Sequence, residues 1–377
     1  MISAPISSRR AAPATGDDDG PKGTSMLPTM LAPVLCLLPA YAAPSARASV
    51  PRMQATIEKV AVPAHENYLS EVALTMPPSS LSSMAGLLVS RGEELVEPGL
   101  DASMHPLLVP LTKSSDGCIT GLLRWPAGGG GGSKLPLVRT TSDGQMLTLL
   151  ANSMENFLLR EAAVADVEGS ADAAALAALS RGIGFPYDAG SAAAQAGGLP
   201  GFIITKVGPF IHDYESLSKG HMAKGNDMAG LVTCERSQNV FGAWGRPAAF
   251  HARTLASIGN DEEARDQART ALELPLWTLG DDLEEVLKIS QTERADLLSR
   301  LTDRAAGKPS AQELRANNGV DKRSPKDVAK DRASYLLDLA VAKPEEFSWA
   351  SIRAPLAELY READMASIAR FVLRGEE

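Results

Sequence analysis

Residues 241–280 contain two short helical patterns that must pack against each other, and they constrain the fold more than any other stretch. Pro247 lies near the start of the first pattern, and Gly259 turns the chain between the two. The second pattern has alanines along one side and ends at Pro275. Small side chains let two helices approach closely, which is typical of a tetratricopeptide-like hairpin. We predict one hairpin over residues 246–275, whereas a repeat array would need about three units.

Two pairs of residues flank this hairpin and form the candidate partner-binding site. Trp244 and Arg246 stand at its beginning, and Leu276 and Trp277 follow its second helix. Tryptophan and arginine are the residue types that most often dominate protein interfaces. These four side chains therefore predict a binding rim for a protein partner. In the alternative interpretation, both tryptophans fill the core of the hairpin itself and Arg246 caps an ordinary surface helix.

The part of the chain before the hairpin combines helical and extended patterns. Residues 81–95 place apolar side chains on one helical face. Three short apolar runs follow, over residues 105–112, 117–125 and 135–141, and turn-forming residues separate them. These runs predict a small antiparallel β-meander. Over residues 146–168 the apolar period is helical again, which predicts one long helix.

The remaining segments contain few large apolar side chains that could be buried in a core. Residues 166–198 are rich in alanine and glycine and predict a flexible connection, and the polar stretch at 307–325 predicts a mobile loop between later helices. The predicted fold class is α+β and mostly α, with a small antiparallel β-meander followed by a helical domain that contains the one hairpin. The predicted segments are a targeting segment (1–50), a helix and β-meander domain (51–165), the flexible connection (166–198) and a helical domain (199–377).

The run of five glycines at 128–132 has only part of the pattern of a phosphate-binding loop. A nucleotide-binding P-loop requires lysine and then serine or threonine after its last glycine. Here Ser133 precedes Lys134, and an extended segment with a proline follows where a helix would be needed. We therefore expect a long hairpin loop and no bound nucleotide.

The residue types that carry catalysis or bind metals are scattered along the chain. The five histidines are His65, His105, His212, His221 and His251. None of them forms a paired metal-binding motif, and no serine stands in a GxSxG sequence. Cys234 lies in a helical pattern without a nearby basic or glycine-rich setting that would lower its pKa. The sequence therefore predicts no catalytic, cofactor-binding or metal-binding residue, and hence no enzyme.

The charge of the chain limits the partners that it can bind. The formal net charge is −9, and no segment supplies the basic patch that binding to nucleic acid requires. An apolar run near the N-terminus is too short and too rich in proline to span a bilayer stably. We therefore predict no nucleic-acid partner and no stable membrane insertion, and a protein with basic surfaces is the compatible partner.

The first 50 residues differ from the rest of the chain and predict a targeting segment that is removed. Met26 begins an apolar run that ends in small residues around Ala42, which fits a secretory signal. The residues that follow include serine and arginine, with no acidic side chain before Glu58, as in transit peptides. This two-part address is similar to those of algae with complex plastids, although Tyr41 stands where such addresses usually have phenylalanine. The alternative is a plain signal for secretion, but a body with few cysteines favours the plastid.

Three stretches resemble a family of nucleus-encoded plastid proteins of plants and algae, named Protein in Chloroplast ATPase Biogenesis. They are residues 93–126, residues 241–280 and the tail that includes residues 333–340 and 360–373. The resemblance covers roughly residues 93–374, and the alanine tract and the five glycines are departures from the family pattern.

The resemblance implies a function that the residues alone do not specify. It implies a non-enzymatic factor of the chloroplast stroma that helps the gamma subunit join the catalytic core of chloroplast ATP synthase. The two-part address predicts that this plastid is the complex plastid of an alga. The expected partner is therefore the gamma subunit, and the resemblance supplies no catalytic residue. The alternatives are an assembly factor for another photosynthetic complex, an uncharacterised plastid enzyme, or an RNA-linked factor of the helical-repeat kind, which the acidic charge disfavours.

Overall fold

The strands of the computed structural model form one antiparallel sheet, in which neighbours in sequence are neighbours in space. The model describes residues 57–99, 101–126, 135–195, 198–280 and 283–374, all of which belong to one compact unit, Arg52–Glu377. The strands are β1 (Glu94–Leu95), β2 (Leu108–Lys113), β3 (Ile119–Leu123), β4 (Leu137–Thr140) and β5 (Leu147–Ala151). The predicted β-meander is thus confirmed, and the sheet has a strand at each edge that the sequence analysis did not predict.

Strand β5 lies where the helical period was expected to begin. Leu147, Leu149 and Ala151 are buried, whereas the side chains between them are partly exposed, so the burial alternates with the period of a strand. The pairing of β5 with β4 sets this register, since Val138 pairs with Leu149. Two consecutive leucines made the period ambiguous in the sequence, and the sheet partner decides it.

Helices account for most of the remaining described residues. They are α1 (Pro63–Glu71), α2 (Leu81–Ser90), α3 (Met154–Glu168), α4 (Ala173–Gly182), α5 (Ser191–Ala194), α6 (Gly198–Phe202), α7 (Ile211–Met222), α8 (Asp227–Val240), α9 (Gly245–Ser257), α10 (Asp261–Glu273), α11 (Leu283–Ser290), α12 (Arg294–Ala305), α13 (Ala311–Ala316), α14 (Pro325–Ala342), α15 (Trp349–Glu362) and α16 (Ala366–Val372). A π-helical turn, Ile203–Val207, follows α6, and a 3-10 turn, Leu276–Thr278, follows α10. The α+β, mostly α fold class is confirmed.

Helices α9 and α10 form the antiparallel hairpin that the small residues indicated. Ala264, Ala268 and Ala271 of α10 are almost completely buried, and Ala252 of α9 is buried as well. Gly259 between the helices has φ of +82°, a conformation that glycine adopts without steric cost. The two helices therefore pack against each other through alanine side chains. Its likeness to a tetratricopeptide unit stays a prediction.

The hairpin belongs to a stack of helices. Helix α8 packs against α7 and α9, and α10 packs against α9 and α11. Helices α7, α9 and α11 also contact one another in sequence, α7 with α9 and α9 with α11. These three helices therefore lie side by side in one layer, with α8 and α10 behind them.

The segment that was expected to be a flexible connection contains two helices, α4 and α5. Leu176 and Leu179 of α4 are buried, as is Tyr187 in the turn that follows. Few large side chains are present, but most of them face the core. The proposed boundaries of the four segments stay predictions, and the targeting segment and the glycine run lie outside the described residues.

Candidate partner-binding groove

Three of the four residues predicted to form a binding rim are buried. Trp244 is 5% exposed, Leu276 0% and Trp277 1%. The Trp277 ring lies 4.8 Å from the Trp125 ring, and Trp244 lies 5.6 Å from the same ring. A partner that docks on the surface therefore does not touch Leu276 or Trp277. The expected rim is corrected to this extent, and a role of these residues in binding stays a prediction.

The tryptophans pack in a core that is larger than the hairpin. His105, which precedes β2, lies 4.8 Å from Trp277 and 4.6 Å from Trp349 at the start of α15. Trp125 follows β3, so the cluster joins the sheet, the hairpin and the C-terminal helices. The alternative interpretation placed the two tryptophans in a core, and the core that they occupy is shared by all three regions.

His105 is the only one of the five histidines in this aromatic cluster, within the described residues. Its Nδ1 atom accepts a hydrogen bond from the backbone N–H of Leu107, at 3.2 Å. Complete burial, and next the positive charge of Arg353, lower the pKa of His105 to about 3. The imidazole is therefore neutral at physiological pH. Its place between the Trp277 and Trp349 rings indicates a structural role.

Arg246 is the one residue of the predicted rim whose side chain reaches an open surface. Its Nε and Nη2 atoms donate to the two carboxylate oxygens of Glu215 on α7, at 2.6 and 3.0 Å. Its Nη1 atom donates to the carbonyl oxygen of Gly280, at 3.1 Å. Because Glu215 is buried, this two-point ion pair connects α7 to the beginning of α9. Arg246 therefore both fixes the helix layer and lines the space above it.

That space is a groove across the layer of α7, α9 and α11. It consists of two adjoining cavities of about 540 Å³ each, which share Arg253, Ser257 and Glu285 as lining residues. The first is also lined by α7, and the second also by α10. We call this continuous depression the α7–α9–α11 groove.

The groove follows from the two faces of α9. Arg246, Phe250, Arg253 and Ser257 are spaced by four, three and four residues, so they share one helical face. Ala252 lies on the opposite side and is completely buried. The sequence therefore contained the signal for this site, a mixed charged and aromatic stripe opposite the alanine stripe, which the sequence analysis did not use.

The lining of the groove combines ion pairs with an aromatic surface. Arg253 donates to Glu285 of α11 at 3.1 Å, as Arg246 does to Glu215 of α7. Lys219 Nζ lies 5.5 Å from the centre of the Phe250 ring, a cation–π distance. Each neighbour of α9 in the layer is thus bonded to it by an ion pair. The groove therefore has ion pairs between its helices and an aromatic ring, that of Phe250, in its lining.

The described residues provide little for metal chemistry or a membrane. No group of three or more His, Cys, Asp or Glu side chains within them is arranged to bind a metal ion. Cys234, on α8, is buried, and burial raises the pKa of its thiol. None of the described helices is both long and apolar enough to cross a bilayer.

The fold and the groove define a class of protein in which a small sheet and a stack of helix pairs share one core, and the helix layer carries an open groove. Family models match the chain in three parts, described as PAB N-terminal at residues 63–202, PAB middle domain at residues 212–293 and PAB C-terminal domain at residues 301–374. The helices that line the groove belong to the part matched by the middle domain. No solved structure matches the chain.

One curated relative matches most of the length of both proteins. The chain is 31% identical over 316 residues to Protein IN CHLOROPLAST ATPASE BIOGENESIS, chloroplastic, of Arabidopsis thaliana. The match covers 82% of this chain and 90% of the relative. The chain therefore belongs to the Protein in Chloroplast ATPase Biogenesis family, as the resemblance in its sequence indicated.

Proposed function

We propose that this protein is a non-catalytic plastid factor that assists assembly of chloroplast ATP synthase. The observation that carries the proposal is the match to the Arabidopsis relative, whose name describes biogenesis of the chloroplast ATPase. All three family models match in the order N-terminal, middle and C-terminal, so the likeness is not confined to one module. We infer that this chain shares the relative's role in ATPase biogenesis.

The gamma subunit is the client that we propose, and the chloroplast stroma, in the complex plastid of an alga, is the location. The net charge of −9 is compatible with a client that has basic surfaces, since opposite charges speed association and disfavour wrong partners. The relative is named as chloroplastic, which supports a plastid location. In this proposal, the α7–α9–α11 groove binds part of the client while the rest of the surface screens it from other chains.

Co-purification from plastids tests this function. The tagged chain is expressed in its own host, and the retained proteins are quantified by mass spectrometry. We expect the gamma subunit to be enriched above the other subunits of ATP synthase. A second measurement uses a strain that lacks the protein, in which ATP synthase is expected to fall while both photosystems stay normal. Normal amounts of ATP synthase in that strain would refute the proposal.

A further inference from the structure

Three cations line the α7–α9–α11 groove without an ion-pair partner. Within the described residues, Lys219 of α7, Arg265 of α10 and Lys288 of α11 form no salt bridge. The Nε atom of Arg265 is buried and has no hydrogen-bond partner. The described lining holds five basic residues against three acidic ones, Glu215, Asp261 and Glu285, and of these Glu215 is bonded to Arg246 and Glu285 to Arg253. The groove is therefore a site of surplus positive charge on a protein whose net charge is −9.

Apolar side chains line both ends of the groove between these cations. Phe250 lies beneath Lys219, with 5.5 Å between the ammonium nitrogen and the ring centre, and Met222 lines the same end. Ile289 lines the other end and is partly exposed. Such a surface fits a polypeptide segment better than a small ion, because a segment can present apolar and charged side chains together.

The layer of helices also sets the length of a segment that would fit. Packed helices lie about 8–10 Å apart, so α7 and α11, on either side of α9, are about 20 Å apart. An extended chain rises about 3.3 Å per residue, so about six residues span that distance. Lys219 and Lys288 lie on these two outer helices, at positions where they can contact both ends of one short segment.

We propose that the α7–α9–α11 groove binds an acidic segment of a protein partner, with carboxylates at the unpaired cations and an apolar side chain on Phe250. Charge complementarity supports this occupant, since the unpaired cations of the groove attract carboxylates although the chain as a whole carries a net charge of −9. The inference rests on the proposed function for the partner's identity, because it names the chemistry of the client segment. It predicts that the client contributes a short acidic stretch even though its overall charge is basic.

Peptide binding to the full chain tests this inference without any client. The probe is a fluorescent twelve-residue peptide of alternating glutamate and leucine, and the comparison peptides replace every glutamate by glutamine or by lysine. We expect the acidic peptide to bind about tenfold more tightly than the glutamine peptide, and raising sodium chloride from about 50 to about 300 mM to remove most of that difference. Equal binding of the acidic and glutamine peptides, or tighter binding of the lysine peptide, would overturn the inference.

Charge reversal locates the binding in the groove. The double variant Lys219→Glu/Lys288→Glu is expected to weaken binding of the acidic peptide by about 20-fold or more, because two attractions become repulsions. The matched control is Lys113→Glu/Lys322→Glu, which makes the same charge change at two exposed lysines outside the groove lining and is expected to change affinity less than about twofold. Equal losses in the two double variants would place the effect in the overall charge and overturn the site. The neutral variant Lys219→Gln/Lys288→Gln provides the same comparison should the reversal disturb folding.

The co-purification experiment separates failure of this inference from failure of the proposed function. If the Lys219→Glu/Lys288→Glu chain retains as much gamma subunit as the original chain, the function stands and the groove inference fails. If the native chain binds the acidic peptide in the groove but retains no ATP synthase subunit from plastids, the function fails and the preference of the groove stands.

Discussion

The alanine-rich segment, residues 166–198, and the polar segment, residues 307–325, were both expected to be loosely packed, yet different forces hold them in place. Both contain helices, α4 and α5 in the first and α13 in the second. The alanine-rich segment packs against the core through a few apolar side chains. The polar segment has no buried residue in α13 and is attached by charged groups. A shortage of large apolar residues therefore does not leave either segment without helices or contacts to its neighbours.

In the alanine-rich segment, Tyr187 is the largest buried side chain. Tyr187 is 1% exposed, and its ring lies edge to face against Phe202 at 5.6 Å. Its hydroxyl donates to Asp166 at 2.7 Å, and its backbone N–H donates to Ser180 at 3.1 Å. Leu176 is buried on α4 in the same region. Burial of these few large side chains stabilises the segment, since each large apolar side chain contributes about 1.5–3 kcal/mol when it is fully buried.

In the polar segment, single carboxylates pair with arginines, one of which lies outside the segment on α12 and one near the segment's end. Glu313 of α13 pairs with Arg304 of α12, and it also accepts from the backbone N–H of Ser310 in a capping box. Arg323 donates to Asp331 of α14 at 2.9 Å. The segment is therefore tied to α12 and α14 by hydrogen-bonded ion pairs.

The largest expected effect is the loss of Tyr187. Tyr187→Ala removes a buried ring and its hydrogen bond, so we expect unfolding free energy to fall by about 3–5 kcal/mol. Urea unfolding of the full chain, followed by circular dichroism, measures this. Tyr187→Phe is the control, which keeps the ring and is expected to cost only about 1 kcal/mol for the lost hydrogen bond. A loss under about 1 kcal/mol in Tyr187→Ala would mean that the segment is as loose as its composition suggested.

The corresponding change in the polar segment is expected to be smaller. Arg304→Ala removes the partner of Glu313 and a guanidinium that lies 5.0 Å from the Tyr335 ring centre, and we expect a loss of about 1–3 kcal/mol. Repeating the unfolding in about 1 M sodium chloride should reduce this loss, because salt screens charges, and should leave the Tyr187→Ala loss unchanged. The comparison between the segments fails if salt alters both losses equally.

Lowering the pH should weaken the polar segment more than the alanine-rich segment. The ion pair with Arg304, and next the backbone hydrogen bond of Ser310, lower the pKa of Glu313 to about 2. A carboxylate with a lowered pKa stabilises the fold above its unfolded pKa of about 4.3, and that contribution is lost as pH falls towards 2. Hydrogen exchange should therefore speed up in residues 307–325 between pH 4 and 2, relative to residues 173–187. Glu313→Gln should reduce this pH dependence and leave the part that comes from Asp321, whose pKa the hydrogen bonds from Arg323 also lower to about 2. An unchanged profile in that variant would assign the whole dependence to other carboxylates.

The sequence predicted most elements of the fold and fewer of the contacts between them. The alanine stripe of α10 and the turn at Gly259 are local signals, so the hairpin was predictable. The contact of Tyr187 with Phe202 and the burial of Trp277 beside Trp125 depend on residues that are distant in sequence. A pattern read along one helix cannot identify such partners.

Only the local part of the groove was predictable from the sequence. The stripe from Arg246 to Ser257 on α9 is local, but the Glu215 that binds Arg246 lies 31 residues earlier in the chain. The sequence analysis placed the binding site at the ends of the hairpin because Trp244 and Trp277 lie there. Because large aromatic rings stabilise cores and interfaces alike, residue type alone did not separate the two roles.

The smallest effect is expected for a stretch that can form neither buried apolar contacts nor ion pairs. The five glycines at 128–132 have no side chain to bury or to charge, and they join β3 to β4, which pair through Leu122 and Leu137 on either side. Shortening the run to two glycines should change unfolding free energy by less than about 1 kcal/mol, since the entropy of loop closure varies only with the logarithm of loop length. Urea unfolding checks the stability, and calorimetry with ATP checks the rejected phosphate-loop interpretation. Because the shortened chain keeps every described contact, a large loss of stability, or any binding of ATP that the deletion abolishes, would mean that these glycines make specific contacts after all.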